Sequence, residues 1–180
     1  WDGLLSHISY ELTENSEYYL DIKAKAEAQG RYDFIEMATV IENDFNAALL
    51  KDRNGKFSDI NDSFYEHMAS GIKYSRFKIY ISKLLGNVDL KEEMLEEVSD
   101  LKKIRKNIAS IITTNYDQFV EQTFDFQPLV GNDILLSNPY GAVYKIHGCV
   151  TNPMKIIITK EDYQNFNSKY ELIRAQLLSL

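Results

Sequence analysis

The chain has 180 residues, and its 20 Lys and Arg against 27 Asp and Glu give a formal net charge of −7. The acidic balance argues against a protein that mainly binds nucleic acid, because such proteins cluster Lys and Arg against phosphates. A single Cys excludes a disulfide framework and any zinc site built from several cysteines, and no apolar run reaches the roughly 18 residues that cross a bilayer. Composition therefore indicates an ordinary globular protein with no membrane partner.

The first hundred residues have the spacing of successive helices. Apolar residues recur at steps of three and four from Phe34 to Leu49, which predicts a helix over 32–51 that ends before Asn54 and Gly55. The same spacing predicts further helices over 16–29, 64–68, 77–85 and 90–101. The outward face of the last one carries four Glu and one Asp, and we interpret it as a solvated helix face.

The pattern changes near residue 106, where short apolar runs rich in β-branched residues begin. Three such runs alternate with helical patterns, the runs at 108–113, 143–146 and 155–159 and the helices at 117–124, 161–166 and 170–180. Strands that alternate with helices form parallel sheets, and strands buried on both faces lack a polar–apolar alternation. The sequence therefore predicts an α/β fold, with part of a Rossmann-like parallel sheet over 106–180 and a large all-helical insertion over 16–105.

Polar residues follow two of the predicted strands, at the point where an open parallel sheet binds its ligands. The first strand leads into Thr-Thr-Asn-Tyr-Asp at 113–117, and the second leads into His147 and Gly148. Asn115 and His147 would then face one crevice. An imidazole with an ordinary pKa near 6.5 can accept a proton at physiological pH, and an amide can hold a hydroxyl or a water. Gly148 would let a ligand approach the backbone closely.

Plainer interpretations of the same residues stay open at this point. The Thr, Asn and Asp side chains of residues 113–117 could cap the helix that follows them, and His147 could be a structural residue at a strand end. Cys149 could be a nucleophile, but the sequence places no second His or acid beside it to activate the thiol.

Three short motifs follow one another along the second half of the chain. They read Thr-Thr-Asn-Tyr-Asp at 113–117, Tyr-Lys-Ile-His-Gly at 144–148 and Ile-Ile-Ile-Thr-Lys-Glu-Asp-Tyr at 156–163. In this order they resemble the Sir2-like family, and in particular the bacterial Sir2-like domains of anti-phage defence proteins. The resemblance covers about residues 106–166, and residues 1–5 resemble the segment after the family's glycine-rich loop. The chain is thus interpreted as a partial Sir2-like domain over 1–180.

This resemblance implies a site that binds NAD as its substrate and needs no metal. By carry-over, Asn115 would contact the nicotinamide ribose and the attacking water, and His147 would be the general base. Thr114 would replace the Gln of protein-deacylating sirtuins, and Asp117 would lie near the nicotinamide amide. The residues expected to bind NAD are Thr113, Thr114, Asp117 and Gly148.

Departures from the family pattern bear on the activity and on the length of the protein. One Cys cannot build the four-Cys zinc module of protein-deacylating sirtuins, which favours hydrolysis of NAD to nicotinamide and ADP-ribose. The chain contains no Gly-x-Gly, so the loop that would hold the pyrophosphate is missing. We therefore expect a central piece of a longer protein, and we expect the piece alone to bind NAD poorly.

The resemblance also implies a setting for the parent protein. It would be a cytoplasmic bacterial NAD hydrolase that forms homo-oligomers and is activated by a phage protein or a nucleotide through other domains. Three alternatives stay open: a non-catalytic module that binds NAD or ADP-ribose, an NAD-dependent protein deacylase, and a plain interaction domain whose helical half is the working surface.

Overall fold

The computed structural model describes residues 1–28, 30, 33–69, 71, 74–136, 140–169 and 171–178. These residues form two compact units. The helical unit comprises Trp1–Ile79 and Ile158–Gln164, and the sheet unit comprises Tyr80–Ile157 and Asn165–Leu180. This division does not test the predicted boundaries of the helical insertion, 16–105, which stay a prediction.

Helices dominate the part of the chain that the structure describes. They are α1 Asp2–Thr13, α2 Ser16–Ala28, α3 Phe34–Lys51, α4 Ser58–Ala69, α5 Arg76–Gly86, α6 Leu95–Lys103, α7 Phe119–Phe124, α8 Lys160–Lys169 and α9 Glu171–Leu177. Short 3₁₀ turns occur at Glu92–Met94, Arg105–Asn107, Gly131–Leu136 and Pro153–Lys155. The helices predicted from apolar spacing are present. The predicted end residues Gln29, Tyr32, Tyr170 and Leu180 lie outside the described residues.

The core of the helical unit is built around α3. The side chain of Asp33 accepts a hydrogen bond from the Ile35 N–H and so begins the helix. Its buried face is the one that the apolar spacing predicts: Met37, Ala38, Ile41, Phe45 and Leu49. Phe45 packs edge-on against Phe77, with ring centroids 5.9 Å apart. Burial of each large apolar side chain contributes about 1.5–3 kcal/mol, so this face supplies much of the unit's stability.

The sheet unit contains three parallel strands, β1 Ser110–Thr113, β2 Gln127–Val130 and β3 Ala142–Lys145, in the order β1-β3-β2. Every residue of the central strand β3 is buried. The predicted parallel α/β sheet is thus confirmed, as is its combination with a helical region. No helix in the described part of the chain is both long and apolar enough to cross a membrane.

One strand escaped prediction because its sequence carries a weak strand signal. Of the four residues of β2, only Leu129 is buried, and the strand lies at an edge of the sheet. Pro128 has no N–H to donate to a strand ladder, and edge strands tolerate that loss. A run with one buried apolar residue and a proline does not stand out from a loop.

The third predicted strand, over 155–159, is wrong. Residues 153–155 form a 3₁₀ turn and residues 156–158 form a buried segment outside the sheet, which we call the isoleucine segment. The β-branched run correctly indicated burial, since Ile156 and Ile158 are almost fully buried. Its backbone is not part of a strand ladder, however, because the Ile157 N–H bonds to the carbonyl oxygen of a loop residue, His147.

Candidate functional site

The parallel register brings two loops to the same edge of the sheet. Thr113, the last residue of β1, pairs with Lys145, the last residue of β3. The ladder extends one step further, since the Ile146 N–H donates to the Thr113 carbonyl oxygen at 3.1 Å. Asn115 and His147 each follow their paired strand ends by two residues, as the sequence analysis predicted for residues at one edge.

Both loops are tied to the backbone of one residue of the isoleucine segment, Ile157. The hydroxyl of the buried Tyr116 donates to the Ile157 carbonyl oxygen at 2.8 Å. The Ile157 N–H donates in turn to the carbonyl oxygen of His147 at 2.9 Å. A further bond runs from the Val150 N–H to the Tyr116 carbonyl oxygen, also at 2.9 Å. The segment thus links the Asn115 loop to the His147 loop and holds them together, although it is not a strand.

The loop from Thr113 to Asp117 is folded by its own short side chains. The Thr113 hydroxyl oxygen accepts the Asn115 N–H at 3.0 Å, a local turn that leaves Thr114 and Asn115 exposed. An oxygen of the Asp117 carboxylate accepts the Phe119 N–H at 3.0 Å and so satisfies a free donor at the start of α7. The capping interpretation therefore holds for Asp117, while contact of these residues with NAD stays a prediction.

His147 is half-buried in the sheet unit, and its environment favours the neutral ring. Burial lowers the pKa of the imidazole below its ordinary value of 6.5, because removal from water penalises the charged form. The ring of Phe166 lies edge-to-face with it, with centroids 6.4 Å apart and planes at 85°. A neutral imidazole at physiological pH can accept a proton, which is what a general base must do.

Gly148 is required by the protein's own backbone. Its φ of +93° is rarely adopted by residues with a side chain, and a Cβ at this position would lie 2.2 Å from the Lys155 carbonyl oxygen. The same Cβ would lie 2.8 Å from Ile156 Cα. The protein's own backbone at residues 155–156, where the 3₁₀ turn meets the isoleucine segment, therefore approaches this glycine closely. A contact of Gly148 with NAD is a separate prediction.

The third motif organises the start of α8 within the helical unit. One oxygen of the Asp162 carboxylate accepts the backbone N–H groups of Ile158 and Thr159 and the Thr159 hydroxyl, at 2.9 to 3.1 Å. The Asp162 N–H points back to the Thr159 hydroxyl at 3.4 Å, which completes a capping box. The other carboxylate oxygen forms an ion pair with Lys78. Thr159 and Asp162 of this motif therefore have a structural explanation.

Sequence reasoning missed one buried ion pair, formed by Lys145 and Glu121. The Lys145 side chain is fully buried, and its Nζ lies 2.7 Å from Oε1 of Glu121 on α7. The same ammonium donates to the backbone carbonyl oxygen of Asp117. A lysine at the end of the otherwise apolar β3 was a usable signal, because lysine is almost never fully buried without a partner.

No group of three His, Cys, Asp or Glu side chains is arranged to hold a metal ion among the residues that the structure describes. The polar side chains of the two loops include the His147 imidazole, the exposed Asn115 amide, the Asp117 carboxylate and the threonine hydroxyl groups. These groups can orient a substrate and move a proton.

Comparison with known proteins relates this part of the chain to a family. Residues 109–180, which include all three strands, match the family model of the SIR2-like domain. A protein named NAD(+) hydrolase ThsA from Acinetobacter baumannii (strain 532279) is 26% identical over 103 residues, covering 48% of this chain and 21% of the relative. The chain thus spans about a fifth of the length of this curated relative. No solved structure was found to match the chain.

Proposed function

We propose that the chain, which carries a SIR2-like domain over residues 109–180, is part of an NAD hydrolase that releases nicotinamide and ADP-ribose. The observation that carries the proposal is the convergence of two loops at one sheet edge, one bearing an exposed Asn115 and the other a half-buried His147. The name of the relative from Acinetobacter baumannii supports NAD as the substrate.

The chemistry requires little from the protein beyond orientation and one base. Nicotinamide is a good leaving group because its ring is cationic, so the bond from the ribose C1′ to the ring nitrogen breaks with its electron pair on nicotinamide. The sugar then resembles an oxocarbenium ion, and the water oxygen forms the new bond to C1′. The enzyme accelerates this by holding sugar and water in line and by accepting the proton of the water. In the proposal, Asn115 holds the water and a ribose hydroxyl, and His147 accepts the proton.

Four further residues are proposed to form the NAD site around this pair, three by contact with NAD and Thr113 by shaping the loop. The Asp117 carboxylate uses one oxygen to cap α7, and its other oxygen would accept a hydrogen bond from the nicotinamide amide. Thr114 is exposed and would contact the ribose, and Thr113 would hold the loop in the turn that presents Asn115. Gly148 would contribute backbone next to the base.

The proposal extends to the biological setting of the complete protein. We propose a cytoplasmic bacterial protein that acts in anti-phage defence as a homo-oligomer. Parts outside residues 109–180 would receive the activating phage protein or nucleotide. A substrate as abundant in cells as NAD makes such control necessary, because an unregulated hydrolase would deplete it.

The test is release of nicotinamide from NAD by the longest natural chain that contains these residues. We expect Asn115→Ala and His147→Ala each to lower the rate by about 10²-fold or more, the usual effect of a lost general base or orienting group. His7→Ala is the matched control, since this exposed histidine of α1 lies in the helical unit, and it should leave the rate unchanged.

Two outcomes would contradict the proposal. Full nicotinamide release by either site variant would remove that residue from the catalytic pair. Thermal stabilisation by NAD without any release of nicotinamide would instead favour a binding module that recognises the nucleotide without turnover.

A further inference from the structure

A buried ion pair adjoins both loops of the candidate site. Lys145 ends β3, two residues before His147, and none of its side chain is exposed. Its Nζ lies 2.7 Å from Oε1 of Glu121, whose side chain is only 6% exposed in the middle of α7. Both residues are part of the sheet unit.

The same ammonium also binds the loop that carries Asn115. It donates to the backbone carbonyl oxygen of Asp117, two residues after Asn115. One ammonium thus forms an ion pair with the Glu121 carboxylate and donates a hydrogen bond to the Asp117 carbonyl oxygen. Lys145 therefore joins β3, α7 and the Asn115 loop at one point.

Packing alone does not account for this pair. Ala142, Val143 and Tyr144, the other residues of β3, are also buried, and none of them has a charged side chain. Burial of two charges costs several kcal/mol per ion before their attraction is counted, and well-packed apolar residues of similar volume are often equally or more stabilising. An apolar pair would fill the space between β3 and α7 as well. It would not bind the Asp117 carbonyl.

We propose that Lys145 is a positioning residue, which fixes the Asn115 loop relative to His147 through its bond to the Asp117 carbonyl oxygen. This inference rests on the proposed function, because Asn115 and His147 are the pair that it would align. Glu121 serves as the ion-pair partner that orients the buried ammonium. A displacement of about 1 Å between catalytic groups can lower a rate by about 10²-fold, so such a bond has a measurable effect.

The decisive variant is the double substitution Lys145→Met with Glu121→Leu. It removes both charges together, so the fold keeps an apolar contact of similar volume and no charge is left buried alone. We expect the melting temperature to stay at or above that of the unsubstituted protein, while kcat for nicotinamide release falls about 10-fold to 100-fold with KM changed less than kcat.

Two further variants show whether the ammonium itself matters. The single substitution Lys145→Arg keeps a positive charge with several N–H donors, so its kcat should lie between that of the double variant and that of the unsubstituted protein. Lys103→Met is the matched control, since it removes an exposed ion pair of the same unit, with Nζ 2.6 Å from Asp100, and should leave kcat unchanged.

Hydrogen exchange separates this inference from the proposed function. In the double variant the amides of residues 114–118 should exchange faster, while those of α9 should not. If the unsubstituted protein releases no nicotinamide, the proposed function fails, and the exchange rates still decide whether Lys145 holds the loop. Unchanged exchange over 114–118, or a stable double variant with full kcat, would overturn the inference.

Discussion

Gly148 offers a direct test of how the His147 loop is held. Replacement by Ala adds one methyl group at a residue with φ +93°, and that methyl would lie 2.2 Å from the Lys155 carbonyl oxygen and 2.6 Å from its carbonyl carbon. Both atoms belong to backbone, so no side-chain rotation can relieve the overlap. The backbone at residues 155–156 would have to move, and with it the neighbouring Ile157 N–H that bonds to the His147 carbonyl oxygen.

The expected decrease in the free energy of unfolding of Gly148→Ala has two separate contributions. A side chain in a left-handed conformation costs about 1–2 kcal/mol. Overpacking against fixed neighbours adds about 1–3 kcal/mol. The sum, about 2–5 kcal/mol, is a large part of the roughly 5–15 kcal/mol by which a typical domain is stable.

Gly131→Ala is the matched control for the conformational contribution. Gly131 also has a positive φ, +63°, but its added Cβ would have only an ordinary contact, 3.7 Å from the Cδ of the flexible Lys155 side chain. The free energy of unfolding of Gly131→Ala should therefore fall by only about 1–2 kcal/mol. Urea unfolding of the unsubstituted protein and of the two variants, monitored by circular dichroism, gives the free energies of unfolding from the midpoint and slope of each curve.

Equal losses for the two substitutions would refute this reasoning. They would mean that the backbone at residues 155–156 moves aside at little cost and that the close approach does not require glycine. Unchanged stability of Gly148→Ala with weaker ligand binding would instead assign Gly148 to contact with NAD alone.

Three further predictions concern charge and protonation. Burial raises the pKa of the Glu42 carboxyl above 4.5, so the protonated carboxyl stabilises the fold below pH 4.5 and this stabilisation is lost as pH rises through the folded-state pKa. Glu42→Gln should therefore reduce the difference between the urea midpoints at pH 4 and pH 7. Burial lowers the pKa of His147, so stability should fall as pH drops below 6.5, and His147→Gln should flatten that fall in the same titration. Asp162→Ala removes the cap of α8 and the ion-pair partner of the mostly buried Lys78, which should lower the free energy of unfolding by about 2–4 kcal/mol. Lys160→Met removes a more exposed ion pair and should lower it by less than about 1 kcal/mol. Equal losses in urea unfolding would contradict the assignment.

Local sequence patterns were sufficient for most of the helical unit and for the identity of the two loops. The apolar spacing of α3 predicted its buried face because a helix repeats every 3.6 residues whatever packs against it. The motif around Asn115 and His147 was recognisable because each loop directly follows a β-branched strand, and a parallel sheet brings the ends of such strands to one edge.

Contacts between distant residues determined the rest, since no local pattern specifies them. Residues 155–159 have the composition of a strand, yet the partners of Ile157 are a hydroxyl from residue 116 and a carbonyl from residue 147. Lys145 has the charge of a surface residue, yet the fold surrounds it and supplies Glu121 and the Asp117 carbonyl. The sequence by itself determined which residues lie at the sheet edge. Only the tertiary structure decided what holds the Asn115 and His147 loops together, because hydrogen bonds and buried charges find partners across the fold rather than along the chain.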